Sequence, residues 1–248
     1  MKKKIAIIAF VVAAVTALVF LFTGCGSMVD IGGNYQAKTS SEVAEMLQNT
    51  DTEITGGFEY KLKLEIEIGT DYYMLTEMNG AYNYNSHTDF AFDGKYKMVT
   101  KNGSVSASDN GSLYFDENYA YMNTGGTKVK VQLDMSGFTE NMPIGDIQSY
   151  IGGIDPNAKF SIAEEGDVKK LKIEMNITEG GISIPAEYYI VIENNKITGV
   201  VTKCEYSETV NGEKISMYID MQMGVSSKKV TPPTDIDDYT DLTTGINS

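Results

Sequence analysis

Residues 58–68 alternate strictly between apolar and charged side chains, from Phe58 to Ile68. Successive side chains of a β-strand point to opposite faces of a sheet, so this spacing predicts a strand with one buried face and one solvated face. The charged positions also alternate in sign, which avoids repulsion between like charges on the solvated face. A chain with such a strand is expected to fold around an antiparallel sheet whose apolar face must be covered.

The same period of two recurs along most of the chain. Asp93 and Gly94 have the composition of a hairpin turn between two short runs, and Pro185 predicts an edge or a bend within a longer run. The predicted strands include residues 72–84, 88–92, 95–99, 182–192, 197–206 and 214–225. About nine to eleven strands joined by short turns predict a single antiparallel meander.

Two short helices are predicted to interrupt the strands. Residues 39–48 begin with Thr39 and Glu42 at the spacing of a capping box, in which each side chain bonds to the backbone of the other residue. Residues 143–151 carry isoleucines at helical spacing and are followed by two glycines. Helices this short are unstable alone, so both are expected to cover the apolar face of the sheet. The fold class is therefore mainly β (α+β).

Residues 1–24 have the layout of a secretory signal peptide. Lysines precede an almost wholly apolar run over residues 5–22, and small residues then lead to Cys25. The end of this run resembles the lipobox of bacterial lipoproteins, in which the cysteine receives acyl chains such as palmitate and becomes the first residue of the mature protein. The alternative is an uncleaved transmembrane helix, because the run is long enough to span a bilayer.

Composition divides the rest of the chain into three parts. Residues 25–38 contain two adjacent glycines and few apolar side chains, and are predicted to form a flexible tether. Residues 39–225 carry the strand pattern and form the β domain. Residues 226–248 contain two adjacent prolines and several aspartates, and are predicted to be an acidic C-terminal tail that packs little.

The charge balance restricts the class of partner. The chain has a formal net charge of −14 at pH 7, and all its basic residues are lysines. An acidic surface without guanidinium groups predicts no nucleic-acid partner. It also repels an anionic bilayer, so the lipid on Cys25 is expected to hold the domain at the membrane.

Residues suited to catalysis or metal binding are sparse. His87 is the sole histidine, and Cys204 has no disulfide partner if Cys25 is acylated, so it is expected to be a small buried side chain. The aspartates within residues 235–241 lack the spacing of a calcium loop. A triad of distant residues is left open, although no serine lies in a nucleophile elbow. We expect no enzyme, no metal and no cofactor.

Apolar side chains on the inner face of the sheet are candidates for lining a ligand cavity. Met217, Met221 and Met223 share one face of the last strand, and methionine adapts to varied apolar partners. The alternative is that these side chains only fill the core between sheet and helices. The predicted lining set is Val43, Met46, Leu47, Leu62, Leu64, Val131, Leu133, Ile173, Met175, Ile190, Met217, Ile219, Met221 and Met223.

The order of these features resembles the LolA-like group of envelope proteins. A cysteine suited to acylation, a tether, a short amphipathic helix and a long meander with one helical interruption follow one another between Cys25 and Val225. The group includes the periplasmic lipoprotein carrier, the mycobacterial lipoproteins LppX and LprG, and a branch of Gram-positive lipoproteins. The resemblance implies a half-barrel around helices, with an apolar cavity for lipid or acyl chains. The carrier's cavity arginine is missing here, so a mechanism that depends on it is not expected.

Two functions follow as expectations. The first is a membrane-anchored lipoprotein on the extracytoplasmic face of the cell membrane, which binds a lipid or another hydrophobic molecule under the sheet. The second is a non-enzymatic protein-interaction or envelope-sensor module with a solid core. A connected apolar void on the order of several hundred Å³ favours ligand binding, whereas a core at normal packing density favours the module.

Overall fold

The computed structural model describes residues 29–51, 55–86, 89–132, 157–179, 182–210 and 212–242. These ranges hold one α-helix and thirteen strands, all in one sheet. The elements are β1 (Gln36–Lys38), α1 (Ser40–Gln48), β2 (Gly56–Ile68), β3 (Tyr72–Ser86), β4 (Asp89–Asn102), β5 (Val105–Phe115), β6 (Tyr119–Thr124), β7 (Thr127–Gln132), β8 (Lys159–Glu165), β9 (Val168–Glu179), β10 (Ile182–Glu193), β11 (Lys196–Val210), β12 (Glu213–Val225) and β13 (Thr240–Asp241). The helix predicted over residues 143–151 lies outside the described residues, as does His87.

Two antiparallel meanders make up the sheet. Strands β2 to β7 pair in chain order, and so do strands β8 to β12. The meanders are joined by antiparallel pairing of β12 with β2, which places Ile219 opposite Leu64. Strand β1 borders β8 at one edge, and β13 pairs in parallel with β7 at the other. The mainly β half-barrel is confirmed as one large open sheet, although its meander consists of two parts rather than one.

Helix α1 lies on the apolar inner face of the sheet. Val43 and Leu47 are buried in the core and Met46 packs against it, as the spacing predicts. The capping box also forms: the Thr39 backbone N–H donates to Glu42 Oε2 at 2.8 Å, and the Glu42 backbone N–H donates to Thr39 Oγ1 at 3.3 Å. The bond from the Thr39 backbone is the main cause that lowers the pKa of Glu42, to about 2.

Strand β4 is continuous from Asp89 to Asn102, so the predicted hairpin at Asp93 and Gly94 is wrong. Gly94 instead lies opposite Gly80 on β3. A Cβ atom at Gly94 would come within 1.9 Å of the Tyr60 hydroxyl oxygen, and one at Gly80 within 1.9 Å of the Asp93 carbonyl oxygen. Close packing, rather than a turn, therefore requires glycine at both positions.

Pro185 lies in an interior strand, between β9 and β11, rather than on an edge strand. It faces Asn176 on β9, whereas the ladder between β10 and β11 begins only at Ala186. On the β11 side, Pro185 is therefore at the end of a ladder, where a missing N–H is tolerated. The turn that follows β10 has positive φ at both Asn194 and Asn195, as in a two-residue hairpin turn.

Residues 29–38 are not a free tether. Residues 29–35 cross the outer face of the sheet, and Gln36–Lys38 form β1. Ring centroids of Tyr35 and Tyr189 lie 6.1 Å apart, and Lys170 donates a hydrogen bond to Asp30 at 2.8 Å. The prediction of a flexible tether is wrong here because these contacts join residues more than a hundred positions apart, which local composition does not reveal.

Residues 226–242 also pack on the outer face, so the prediction of a loosely packed tail is wrong for them. Tyr239 is buried, and its ring centroid lies 5.4 Å from that of Tyr121. Lys128 bonds to Asp235 at 2.6 Å and to Asp238 at 3.1 Å. Asp235 and Asp238 therefore pair with Lys128 of β7 instead of being fully solvated, and Tyr239 is the side chain of this segment that is buried.

Gly94→Ala should lower the free energy of unfolding by about 1–3 kcal/mol, because the added methyl group overlaps the Tyr60 hydroxyl. Tyr60→Phe should be neutral or stabilising, since that hydroxyl is buried and has no hydrogen-bond partner within the described ranges. The double variant Tyr60→Phe/Gly94→Ala should recover part of this loss. Tyr60→Phe should not rescue Gly80→Ala, because the methyl group added at position 80 meets the backbone carbonyl oxygen of Asp93. Urea unfolding measures each variant. Strictly additive effects of Tyr60→Phe and Gly94→Ala would contradict this packing.

Candidate functional site

The inner face of the sheet brings together most of the predicted ligand-lining residues, but as a packed core. Ten of them are buried in one hydrophobic cluster: Val43, Leu47, Leu62, Leu64, Ile173, Ile190, Met217, Ile219, Met221 and Met223. Met46 and Met175 are partly buried against this cluster. Leu133 lies outside the described residues, and Val131 lies elsewhere on the inner face. The methionine stripe of β12 therefore fills the core between the sheet and α1.

A second part of the inner face, on β3 to β7, is only partly covered. Residues directly opposite one another in antiparallel strands point to the same face, so the register defines rows of side chains. One row consists of Tyr82, Phe92, Phe115, Ala120 and Val131. Its first two members are buried, whereas the last three are partly exposed. The predicted lining residue Val131 thus ends a row that leads outward from the core.

The adjacent row consists of Gly80, Gly94, Leu113, Met122 and Val129. Met122 is 40% exposed, and Met98, on the same face of β4, is also 40% exposed. We call the partly exposed apolar side chains of this region the apolar shelf: Met98, Leu113, Phe115, Met122, Val129 and Val131. Sequence periodicity places these residues on one face, but it does not reveal that their side chains are partly exposed.

Aromatic side chains connect the shelf with the core. The ring of Tyr60 stacks on Phe92 with centroids 4.6 Å apart, and Phe92 lies 5.1 Å from Phe115. Burial raises the pKa of the Tyr60 hydroxyl above its ordinary value, and the nearby Asp93 carboxylate adds to the shift. Tyr60 is therefore a neutral side chain, and the inner end of the shelf is free of charge.

A polar group lies between Met98 and the rest of the shelf, because Tyr96, Gly111 and Thr124 form the row between Met98 and Leu113. The Tyr96 hydroxyl donates to Asp109 Oδ2 at 3.2 Å and is also hydrogen-bonded to Thr124. Asp109 lies directly opposite Met98 in the ladder between β4 and β5. An apolar surface that contains hydrogen-bonding groups suits a molecule that has both an apolar and a polar part.

Cys204 is a buried free thiol on the inner face, in agreement with the sequence prediction. Burial raises its pKa to about 12. Because the thiolate is the reactive form of cysteine, Cys204 is inert near neutral pH.

A cleft of about 470 Å³ lies on the outer face, between the sheet and the C-terminal segment. Strand residues Gly57, Asn83, Ala91 and Tyr114 form its floor, and residues 226–230 with Pro232 form its wall. This cleft is on the opposite side of the sheet from the predicted ligand cavity, and it contains none of the predicted lining residues.

Within the described ranges, no group of three or more histidine, cysteine, aspartate or glutamate side chains is placed to hold a metal ion. The part of the chain that the structure describes also contains no helix that is both long and apolar enough to cross a membrane. Cys25 and the apolar run before it lie outside that part.

No protein-family model matches the chain, and no curated protein matches it. Among solved structures, the chain is similar to LprF from Mycobacterium bovis, with 11% identity, a TM-score of 0.41, and coverage of 80% of this chain and 99% of that chain. A second similar structure is the S-type phycobiliprotein lyase CPES from Guillardia theta, with 6% identity, a TM-score of 0.16, and coverage of 75% and 94%. These likenesses concern the chain path alone, so we base the function on this chain's own residues.

Met221→Ala and Met98→Ala should differ strongly in their effect on stability. Met221 is buried in the core, so its truncation leaves a cavity and should cost about 2–5 kcal/mol of unfolding free energy. Met98 belongs to the partly exposed shelf, and its truncation should cost less than about 1 kcal/mol. Urea unfolding of both variants checks this difference. Equal losses would contradict the division of the inner face into core and shelf.

Proposed function

We propose that this chain is a lipid-anchored, extracytoplasmic protein that binds a lipid or another hydrophobic ligand on the inner face of its sheet. The observation that supports this function is the apolar shelf, where apolar side chains from β4 to β7 stay partly exposed beside the buried core cluster. Contiguous exposed apolar side chains on a folded protein mark a surface that is used for binding. The ligand is held and later released without covalent chemistry.

The composition of the shelf favours an acyl chain as the apolar part of the ligand. Met98 and Met122 are flexible and adapt to a chain without a fixed shape. Each methylene group that leaves water contributes about 0.8 kcal/mol, so a long chain gains affinity without a specific polar contact. The hydroxyl of Tyr96 and the carboxylate of Asp109, which lie beside Met98, would be the contacts for a polar head group.

The anchor is the second part of the proposal. A single acyl chain gives only marginal membrane binding, with an association constant of about 10⁴ M⁻¹, whereas two or more hold a protein stably. A lipidated Cys25 would supply this attachment, and the acidic domain would add no attraction to an anionic bilayer. The ligand-binding face would then work beside a membrane, where lipids are plentiful.

A protein-interaction or envelope-sensor module is the second candidate. The observation that favours it is the packed core, since Met217, Met221 and Met223 fill the space under the sheet. The shelf would then receive an apolar side chain of a protein partner. In both functions the protein acts by binding, and we propose no catalytic residue and no cofactor for it.

The double variant Met98→Lys/Met122→Lys should weaken the uptake of a fluorescent fatty acid about tenfold or more, because an acyl chain on the shelf would desolvate an ammonium group. Leu242→Lys is the matched control, since Leu242 is 43% exposed but lies in the C-terminal segment on the outer face. The measurement is a titration of delipidated, non-acylated protein, with native mass spectrometry to detect bound lipid. Protein that takes up no fatty acid would leave the interaction module as the function.

Cys25→Ser should release the protein from the membrane or leave an unprocessed precursor, because the serine hydroxyl does not receive the acyl chains. Fractionation of cells and the mass of the purified chain measure the two outcomes. A variant that is still processed and still membrane-bound would rule out the lipid anchor.

A further inference from the structure

Lys170 on β9 is a buried cation on the outer face of the sheet. Its side chain is only 3% exposed. The Nζ atom donates to Asp30 Oδ2 at 2.8 Å, to the Gly32 carbonyl oxygen at 2.7 Å and to Glu165 Oε2 at 3.2 Å. An ammonium group has three protons, so these three bonds satisfy it completely. The bond to Asp30 is the main cause that raises the pKa of Lys170, which stays charged.

Two of the three partners come from residues 29–35, which we call the N-terminal strap. Hydrogen bonds from an ammonium group to a carboxylate are stronger than those between neutral groups. If the strap left the sheet, Lys170 would keep only Glu165 on the neighbouring strand, and water would have to replace its other two acceptors. The buried ammonium group therefore holds the strap against the sheet.

Packing contacts along the strap also hold it against the sheet. Val29 lies on Gly199 of β11, where a Cβ atom would come within 2.6 Å of the Val29 Cγ1 atom. A Cβ atom at Gly33 would come within 2.7 Å of the Ala163 Cβ atom on β8, and Tyr35 contacts Tyr189 of β10. The strap thus crosses four strands, from β11 to β8, before the chain becomes β1 and turns to the inner face as α1.

We propose that the Lys170 contact sets the distance and orientation at which the domain is held against lipid head groups; this rests on the proposed acylation of Cys25. Val29 is only four positions after Cys25, so an extended chain spans at most about 14 Å between them. A free tether over residues 25–38 would span up to about 45 Å. The docked strap therefore makes the anchor short.

The docked strap also selects which end of the sheet lies near the bilayer. Gly199 is close to the start of β11, and Lys170 is close to the start of β9. Both positions are near the end of the sheet that carries the turn at Asn194 and Asn195. The hairpin between β4 and β5, with Gly103 at its tip, is at the opposite end. We therefore assign the Asn194 end as the surface that faces the head groups.

The test uses the full acylated protein in phosphatidylcholine vesicles that contain a lipid-bound energy-transfer acceptor. A donor dye is attached at Glu193→Cys near the proposed membrane end, or at Ser106→Cys near the opposite end, and both positions are exposed. Cys204 does not react because its thiol is buried and protonated. Transfer should be clearly more efficient from position 193 than from position 106. Equal efficiencies would overturn the proposal.

Lys170→Met should remove most of this difference, because the strap is then free to leave the sheet. Backbone amides of residues 30–38 should also exchange with deuterium about ten- to a hundredfold faster. Lys196→Met is the matched control: Lys196 is at the same end and pairs with Asp51, but it is 73% exposed. Unchanged transfer and exchange in Lys170→Met would overturn the proposal.

The variant Asp30→Asn distinguishes release of the strap from unfolding of the domain. The Asp30 side chain is 77% exposed, so its substitution should leave the unfolding midpoint nearly unchanged while it loosens the strap. The mass of the membrane-extracted chain separates the two proposals. A chain without acyl groups overturns both, whereas an acylated chain with equal transfer from the two dye positions overturns the orientation alone.

Discussion

The antiparallel pairing of β12 with β2 holds the two meanders in one sheet. The ladder runs from Ile215 opposite Ile68 to Val225 opposite Phe58, so two strands that are far apart in the chain lie side by side over nearly their whole length. Their inner side chains belong to one core cluster with Val43 and Leu47 of α1. The core that buries the helix is thereby drawn from strands of both meanders.

The two faces of the sheet have different tasks in this arrangement. The inner face carries the core and, on β4 to β7, the apolar shelf. The outer face carries the first and last described segments: residues 29–35 cross β11 to β8, and residues 226–242 cross strands β2 to β7. The proposed ligand on the shelf would therefore be separated from both segments by the thickness of the sheet, and its binding would not compete with the proposed anchoring.

Local patterns explain what could be predicted from the sequence. Alternation between Phe58 and Ile68 predicts both a strand and its buried face, and the spacing of Thr39 and Glu42 predicts the capping box that the structure contains. The prediction of a hairpin at Gly94 is wrong because the sequence alone does not distinguish a glycine required by close packing from a glycine of a turn. The contact between Asp30 and Lys170 joins residues 140 positions apart, so no local pattern reveals it. The exposure of the shelf depends on which other segments lie over the inner face, and the periodicity of a strand does not report this.

The two outermost strands have a consequence for crowding. Strand β1 contains three residues and β13 only two, and each covers part of the free edge of a longer strand, β8 or β7. A long, flat, unpaired edge is a template for pairing with another chain. Proteins confined to a membrane meet each other far more often than proteins free in solution, so with the proposed anchor these two short edge strands would protect the protein from aggregation.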